Sequence, residues 1–566
     1  MKSLIRLQKI IIFKILIIIP ITIGCSNDIL DEKPPHLITS ETLYVNLTGF
    51  DAGLNGLYSL VRMEREGGNG CRMEIFMNGT DNLTPNSDSK DIGNWGEIPR
   101  FWGARLNAED VAVRNHFRWL YSVVNAANTI ISRAENLEVD WAGDGNSPEA
   151  NKNRVLAEAR AIRAWAYRHL SGSWGDVPLS LEESKGSTIR TDWVRTPVAE
   201  VRKQIVSDLL FAEKHIPVER SYRGRLTKGA VQHYLAEMYL YFNKPDSTLY
   251  WTNQVVNNPA YRLITERYGV RKNQAGVPVH DMWYEGNENR DQGNTEALWV
   301  FQFAIQTIGG GSSSGGWRRI HLSRYADIVV DGVKPLRNTY ERGGRGGTRM
   351  SLTNWAISIY EDQDHRASPY AMRKYFILND ATANAPYPAD RLPKGYNYGD
   401  TIWCDWGPVG VNELSSTNRI NTRRPYMRKA EGCDPNNPDL DGGQYNDQPY
   451  LRLAETYLLK AEAELLLNKK QEAANTLNII RKRSNASEIT ADQVSIDFIL
   501  DERSRELVAE EHRRYTLIRT GKLIERARKY NFNGGQFITE RDVLYPIPQE
   551  VIDANLTLEM PQNPGF

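Results

Sequence analysis

Cysteine is scarce, at four in 566 residues, and no two are spaced C-x-x-C. Thiolate zinc knuckles and dense disulfide frameworks are therefore excluded. Charge of one sign is also lacking: the formal net charge is zero and the pI is near 7.1. Without a long-range positive field, nucleic acid is not expected as a partner. The nine histidines include no H-E-x-x-H, and neither a metal nor another cofactor is expected. No uncharged apolar run is long enough to span a bilayer, because Ile15 to Ile23 is preceded by Lys14 and a span needs roughly 20 residues. Tryptophan, with fourteen copies, is absent after Trp406. The C-terminal part is built without it, so residues suited to stacking on a ligand lie earlier.

What is present begins at the N-terminus. Lys2, Arg6, Lys9 and Lys14 precede the apolar run, which closes on Gly24-Cys25, so residues 1–24 read as a secretory signal peptide. A small residue before a cysteine, followed by Ser26-Asn27-Asp28, resembles a bacterial lipobox. Cys25 is then the expected lipid attachment site and 25–50 a lipidated tether, in contact with a membrane through the lipid anchor only. The acidic Asp28, Asp31 and Glu32 resemble the signal that exports lipoproteins to the cell surface. Of the remaining cysteines, a single bridge is left open, for instance Cys404 to Cys433.

Helical periodicity recurs in blocks along the rest of the chain. In 154–170, Leu156, Ala157, Ala161, Ala164 and Tyr167 fall at helical intervals, and Gly172 and Gly175-Asp176-Val177-Pro178 end the pattern. Thr196-Pro197 predicts the start of a helix over 197–215. The next block is 226–242, whose Ala230 follows Ala161 by about twice the 34-residue tetratricopeptide period. In 450–467, Leu451, Ala454, Leu458, Ala461 and Leu465 line one face, with further helices predicted at 470–484 and 497–514. The stretch 259–445 differs. Rich in Gly, Pro, Asn and Asp, it has only a predicted strand at 297–304 and a short helix at 352–361. It reads as loops folded over a helical scaffold and carrying a binding surface. The organisation expected is one body over 51–566, helical at 51–258 and 446–566 and loop-rich at 259–445.

Several segments carry a family resemblance. EARAIRAWAYRHLSGSWGDVPL at 158–179 resembles the SusD/RagB helix that runs into F-G-D-V-P, with Trp174 in place of the usual Phe. RLAETYLLKAEAELL at 452–466 and LNIIRKR at 477–483 are similar to the family's later helices. DERSRELVAEEHRRYTLIRTGKL at 501–523 follows its E-R-x-R-E-L pattern, with Thr516 where Asp is usual, and 544–566 is similar to its closing P-I-P…Q-N-P-G segment. The resemblance implies an all-α fold of tetratricopeptide-like hairpins with an irregular ligand face. It also implies a cell-surface-exposed outer-membrane lipoprotein that captures a glycan for a SusC-type TonB-dependent transporter. Peptide capture is the alternative, and a secreted glycosidase the remote one.

A sugar ring offers an apolar C–H face and a hydroxyl edge, so its site needs flat aromatics beside Asn, Asp, Gln or Arg. Trp119, Trp165 and Trp251 lie in helical patterns and are expected in the core. Trp95, Trp102, Trp283 with Tyr284, Trp317, Trp403 and Trp406 stand in Gly-rich or polar surroundings and are candidate contacts. The family's N-terminal ligand loop implies Asp81 and Asn82 beside Trp95. Arg318 opens a run of seven arginines to Arg349, set against Asp327, Asp331 and Glu341, that suits an acidic glycan or a solvated, ion-paired loop.

No catalytic residue is expected. Gly311-Ser312-Ser313-Ser314-Gly315 matches G-x-S-x-G but lies in low-complexity loop rather than a strand-turn-helix. Glu502, Glu506 and Glu510 are interleaved with arginines and read as structural ion pairs instead of an acid/base pair. Asn437, Asp439, Asp441 and Gly442 open like a calcium loop, but Gln448 takes the twelfth position.

Overall fold

The computed structural model describes residues 40–66, 72–85, 97–185, 190–220, 222–304, 307–311, 316–378, 392–405, 407, 417–439 and 446–566. The signal, Cys25 and most of the tether lie outside them, as do Cys71, Trp95, Ser312 to Ser314, Trp406, Asp441 and Gly442. The protein is all-α in class, a helical scaffold interrupted by one long loop-rich excursion.

The scaffold starts with α1 (Leu47–Arg62), α2 (Val111–Asn136), α3 (Pro148–Trp174), α4 (Val198–His215), α5 (Lys228–Tyr241) and α6 (Pro245–Val256). After the excursion come α7 (Leu453–Leu466), α8 (Lys470–Arg483), α9 (Ile496–Leu507) and α10 (Arg513–Arg519). Each helix from α2 to α6 packs on its successor, and α6 packs directly on α7. The array is therefore continuous in space across a break of almost two hundred residues in the chain.

The α5–α6 and α7–α8 connections are built alike. Asn243 and Asn468 adopt left-handed φ of 52° and 59°, and the following lysine N–H reaches back five residues, Lys244 to the Tyr239 carbonyl at 2.9 Å and Lys469 to that of Glu464 at 2.8 Å. Asparagine tolerates this conformation better than most side chains, and the closure satisfies a helix-end carbonyl. Connectors this short fold consecutive helices into hairpins.

Local caps decide several boundaries. α3 begins at Pro148, ahead of the apolar pattern at 154, because the Ser147 side chain accepts from the Ala150 N–H and proline suits the first turn. α4 starts at Val198, one residue later than expected. Its first N–H donates to Asp176 Oδ1 at 2.7 Å, and Thr196 instead pairs with Val177.

Two expectations for the C-terminal helices are corrected by tertiary contacts. Residues 450–452 extend a strand, not a helix. Gln448–Arg452 pairs antiparallel with Ala297–Phe301 in the register Ala297 to Arg452 and Phe301 to Gln448. Tyr450 stacks on Phe301 at 4.1 Å between centroids and 12° between planes. This ladder closes the neck of the excursion, which local helical periodicity cannot foresee. The predicted helix 497–514 is broken at Val508, with Ala509 at φ 71°, and resumes as α10.

The excursion is not merely loop draped on helices. It builds its own core, in which Trp283, Trp317, Tyr325, Phe376, Tyr426 and Met427 pack with Met73 and Met77. Short antiparallel ladders, Leu83–Pro85 with Met350–Leu352, Met372–Arg373 with Tyr426–Met427 and Tyr375–Ile377 with Thr401–Trp403, pair backbone groups that would otherwise be stranded. A buried ion network ties excursion to scaffold. Arg452 meets Glu506 and Glu510 at 2.6 Å each, Arg366 meets Glu502 at 2.8 Å and Glu506 at 3.1 Å, and Arg481 meets Glu502 at 2.7 Å. Arg483 bridges Glu296 and Glu506, while Lys429 holds Glu510. The three glutamates are structural, as their interleaving with arginine indicates.

Candidate functional site

Most of the residues singled out from sequence are interior. Asp81 has no exposed surface. Its carboxylate accepts from Arg513 at 2.9 and 2.7 Å and from Arg526 at 2.7 Å. Burial alone would raise its pKa, but these two guanidiniums hold it below the usual carboxylate range. Asn82 donates to Ser504 Oγ at 3.3 Å. Trp102 is buried under the Arg514 guanidinium, and Arg318 donates to the Gly432 carbonyl at 2.8 Å. Trp283 and Trp317 pack against one another at 5.5 Å, and the Trp317 indole donates to the Ala509 carbonyl at 2.9 Å. Five of these six therefore offer essentially no surface to a ligand, and Trp283, 3% exposed, contributes only to the wall of a small cavity described below. Their Gly-rich surroundings arise because the excursion core is wrapped in loops rather than helices. Trp119 and Trp165 are core, as expected, and Trp251 is half-buried against it.

Replacing Trp317 with alanine is accordingly expected to destabilise the protein by about 3–5 kcal/mol. Urea denaturation measures this. A variant as stable as the parent but impaired in ligand binding would show that the indole faces the ligand after all.

Tyr284 and Trp403 remain at the surface. In the hairpin Tyr375–Ile377 with Thr401–Trp403, alternation sends Phe376 and Ile402 inward, where Phe376 stacks on Tyr325 at 4.8 Å. Tyr375 and Trp403 lie directly opposite on the outward face, with ring centroids 5.2 Å apart at 63°. Trp403 is 56% exposed, the only tryptophan so exposed among the described residues. Tyr375 also lines a cavity of about 190 Å³ together with Tyr370, Arg373 and Lys374. Glu341 and Arg428 join this cavity to a smaller one, of about 50 Å³, lined by Arg271, Tyr284, Tyr340 and Glu431. The Arg271 guanidinium lies over the Tyr284 ring at 4.2 Å. Flat rings, guanidiniums and a shallow concavity thus meet on one face of the excursion. Sequence reading missed Tyr340, Tyr370, Tyr375 and the basic residues here, although the alternation of 375–377 was a signal for which of them point outward.

The chemistry available is recognition. Glu431, which burial alone would make a weaker acid, is held below the usual range by Arg373 and Arg428 at 2.7 and 2.9 Å. It is thereby kept from acting as a proton donor. The run of arginines from Arg318 to Arg349 also proves largely structural: Arg324 and Arg342 bind backbone carbonyls and Arg349 approaches Glu74 at 3.4 Å. A larger cavity, of about 660 Å³, lies between α2 and the segments around 180–193 and 550–560. Its polar groups are occupied within the protein, Tyr121 donating to the Pro178 carbonyl at 2.6 Å and the Ser184 N–H to Asn125 at 2.8 Å. It suits a glycan less well.

Glu64, His169 and His512 form the one buried group with metal-like composition among the described residues, but the donors do not fit a cation. Arg168 donates to His512 Nδ1 at 3.1 Å, which leaves the proton on Nε2, 2.7 Å from Glu64. Tyr450 donates to the other Glu64 oxygen at 2.7 Å. A metal on His512 Nε2 would require an imidazolate facing a guanidinium. Asp439, from the calcium-like turn, accepts from Asn338 at 2.8 Å. Cys404 and Cys433 are buried free thiols, so the bridge left open between them is not formed. Burial pushes both up to about 12.

Comparison with known proteins covers nearly the whole chain. A model of the SusD family matches residues 295–566, and one described as starch-binding, associating with outer membrane, matches 30–240. SusD-like proteins P25 and P2 from Formosa agariphila are 25% and 26% identical, over 98% and 96% of this chain and 98% and 97% of their own lengths. Among solved structures, a laminarin binding SusD-like protein is similar with a TM-score of 0.68 at 20% identity, covering 92% of this chain and all of that one. Surface glycan-binding protein A from Bacteroides thetaiotaomicron gives 0.65 at 20% identity over the same shares.

Proposed function

Because the chain belongs to the SusD/RagB family, we propose that it is a non-enzymatic glycan-binding lipoprotein of the outer membrane, held at the cell surface by acylated Cys25. Its body over 51–566 captures an oligo- or polysaccharide and passes it to a SusC-type TonB-dependent transporter. The observation that carries the binding reading is the exposed Trp403–Tyr375 pair beside the tyrosine-lined cavity. Such a surface presents flat, rigid, partly apolar groups to the C–H faces of sugars at little entropic cost. The names of two structural neighbours, a laminarin binder and a surface glycan-binding protein, support the same ligand class. The lipobox-like start and the family description that mentions the outer membrane support the location.

Titration calorimetry against soluble laminarin, xylan, oligogalacturonate and a tryptic peptide mixture tests the reading. Saturable binding of at least one glycan, recovered at unchanged length, is expected. Binding of peptides alone, or release of shortened saccharides, would overturn it.

A further inference from the structure

The two joined cavities carry an imbalance of charge that the whole chain lacks. Five cationic side chains line them against three carboxylates, while the formal net charge of the protein is zero. Glu431 is already shared by two of the cations, Arg373 and Arg428. Glu285 accepts from the Tyr340 hydroxyl at 3.2 Å. Arg271 and Lys374, one at each end of the concavity, make no ion pair among the described residues. Arg271 rests on the Tyr284 ring, and Lys374 is half-buried beside Tyr375.

The buried His280, which lines the smaller cavity with Arg271 and meets the Tyr284 ring edge-on at 5.0 Å, reports the local field. Burial pushes its pKa well below the ordinary value, and Arg428, Lys429, Arg271 and Arg373 push it the same way. Lys374 is likewise pushed down, by burial, with only Asp362 acting against this. A half-buried ammonium without an ion-pair partner is stabilised when an anion arrives, and a guanidinium seated over a ring still has N–H donors suited to a planar acceptor. Glu341 is the exception. Exposed on the rim shared by both cavities, it opposes an anion midway and favours one at either end.

Resting on the glycan-binding reading, we infer that the site selects an anionic glycan, whose carboxylate or sulfate groups pair with Arg271 and Lys374 while its rings lie on Tyr284, Tyr375 and Trp403. A charge-assisted hydrogen bond contributes about 1.5–3 kcal/mol, roughly tenfold to a hundredfold in affinity. The anionic group comes from uronic acid or from sulfate ester, and both sources are to be compared.

The test is calorimetry of the full chain with oligogalacturonate, κ-carrageenan oligosaccharides and laminarin oligosaccharides of matched length, at 50 and 500 mM NaCl. At least one anionic series is expected to bind about tenfold or more tightly than laminarin, and to weaken in high salt. Arg271→Gln and Lys374→Gln should each lower that affinity about tenfold, whereas Glu341→Gln should raise it, a change of sign that damage to the fold would not produce. Equal or tighter binding of laminarin, or indifference of the anionic series to all three substitutions, overturns the selectivity and leaves glycan binding standing. Failure to bind any of the saccharides overturns the proposed function and this inference with it.

Discussion

Trp403→Ala lowers affinity for the glycan captured in the calorimetric panel by about 30-fold, with stability almost unchanged. A central aromatic anchor is typically associated with a loss of about 2 kcal/mol when truncated, which converts to that factor. The folded state loses less, because Trp403 is more than half exposed and its ring contact with Tyr375 lies on the outward face of the paired strands. A cross-strand pair contributes roughly 0.2–1 kcal/mol. Tyr375→Ala should act in the same direction, and the double variant should fall short of the sum if both rings hold one sugar. Unchanged affinity in Trp403→Ala would move the ligand away from this hairpin.

Glu506→Ala has the opposite signature, a large loss of stability at any ligand concentration. Glu506 is buried, and Arg452, Arg483 and Arg366 all reach its carboxylate. Removing it leaves guanidiniums in the interior with too few counter-charges, at a cost of about 3–5 kcal/mol. Since Arg366 belongs to the excursion while Arg483 and Glu506 belong to the scaffold, the loss should appear as an earlier unfolding of the excursion, followed by its tryptophan fluorescence in urea.

The same network predicts how acid acts on the native chain. Burial alone would raise the pKa of Glu502, but Arg366, Arg505 and Arg481 outweigh it and bring it down to about 2. Glu158 is brought down to about 2 as well, by Arg220, Arg225 and Arg154. Glu506 is held below the usual range by Arg483, Arg452 and Arg366. Carboxylates depressed on folding contribute stability that is complete above their unfolded pKa and is lost as pH falls through the folded one. As their contribution is lost, melting temperature should fall steeply between about pH 4.5 and 2. A flat profile from pH 5 to pH 3 would refute the stabilising role of these pairs.

The helical scaffold was legible in the sequence because its cause is local. Leu156, Ala161 and Tyr167, or Leu458 and Ala461, recur with the period of the helix that buries them. The Asn-Lys turns after α5 and α7 close through groups only five residues apart. The structural role of Glu502, Glu506 and Glu510 was legible too, since arginines alternate with them along the same stretch. Residues 450–452 were misread for want of remote information, as their strand partner Ala297–Phe301 lies about 150 residues earlier in the chain.

The tryptophans divide along the same line. Trp283 and Trp317 stand in stretches as polar and glycine-rich as that of Trp403, and nothing within ten residues of any of them separates inside from outside. The sequence by itself determined the amphipathic helices, the family motifs from 158 to 566 and the surplus of aromatic residues before Trp406, because each depends on neighbours a turn or a strand away. Only the tertiary structure decided that Asp81 belongs to an arginine pair, that Trp317 belongs to a second core, and that Tyr375 and Trp403 face outward beside Arg271 and Lys374. Burial and charge balance are sums over atoms brought together from distant parts of the chain.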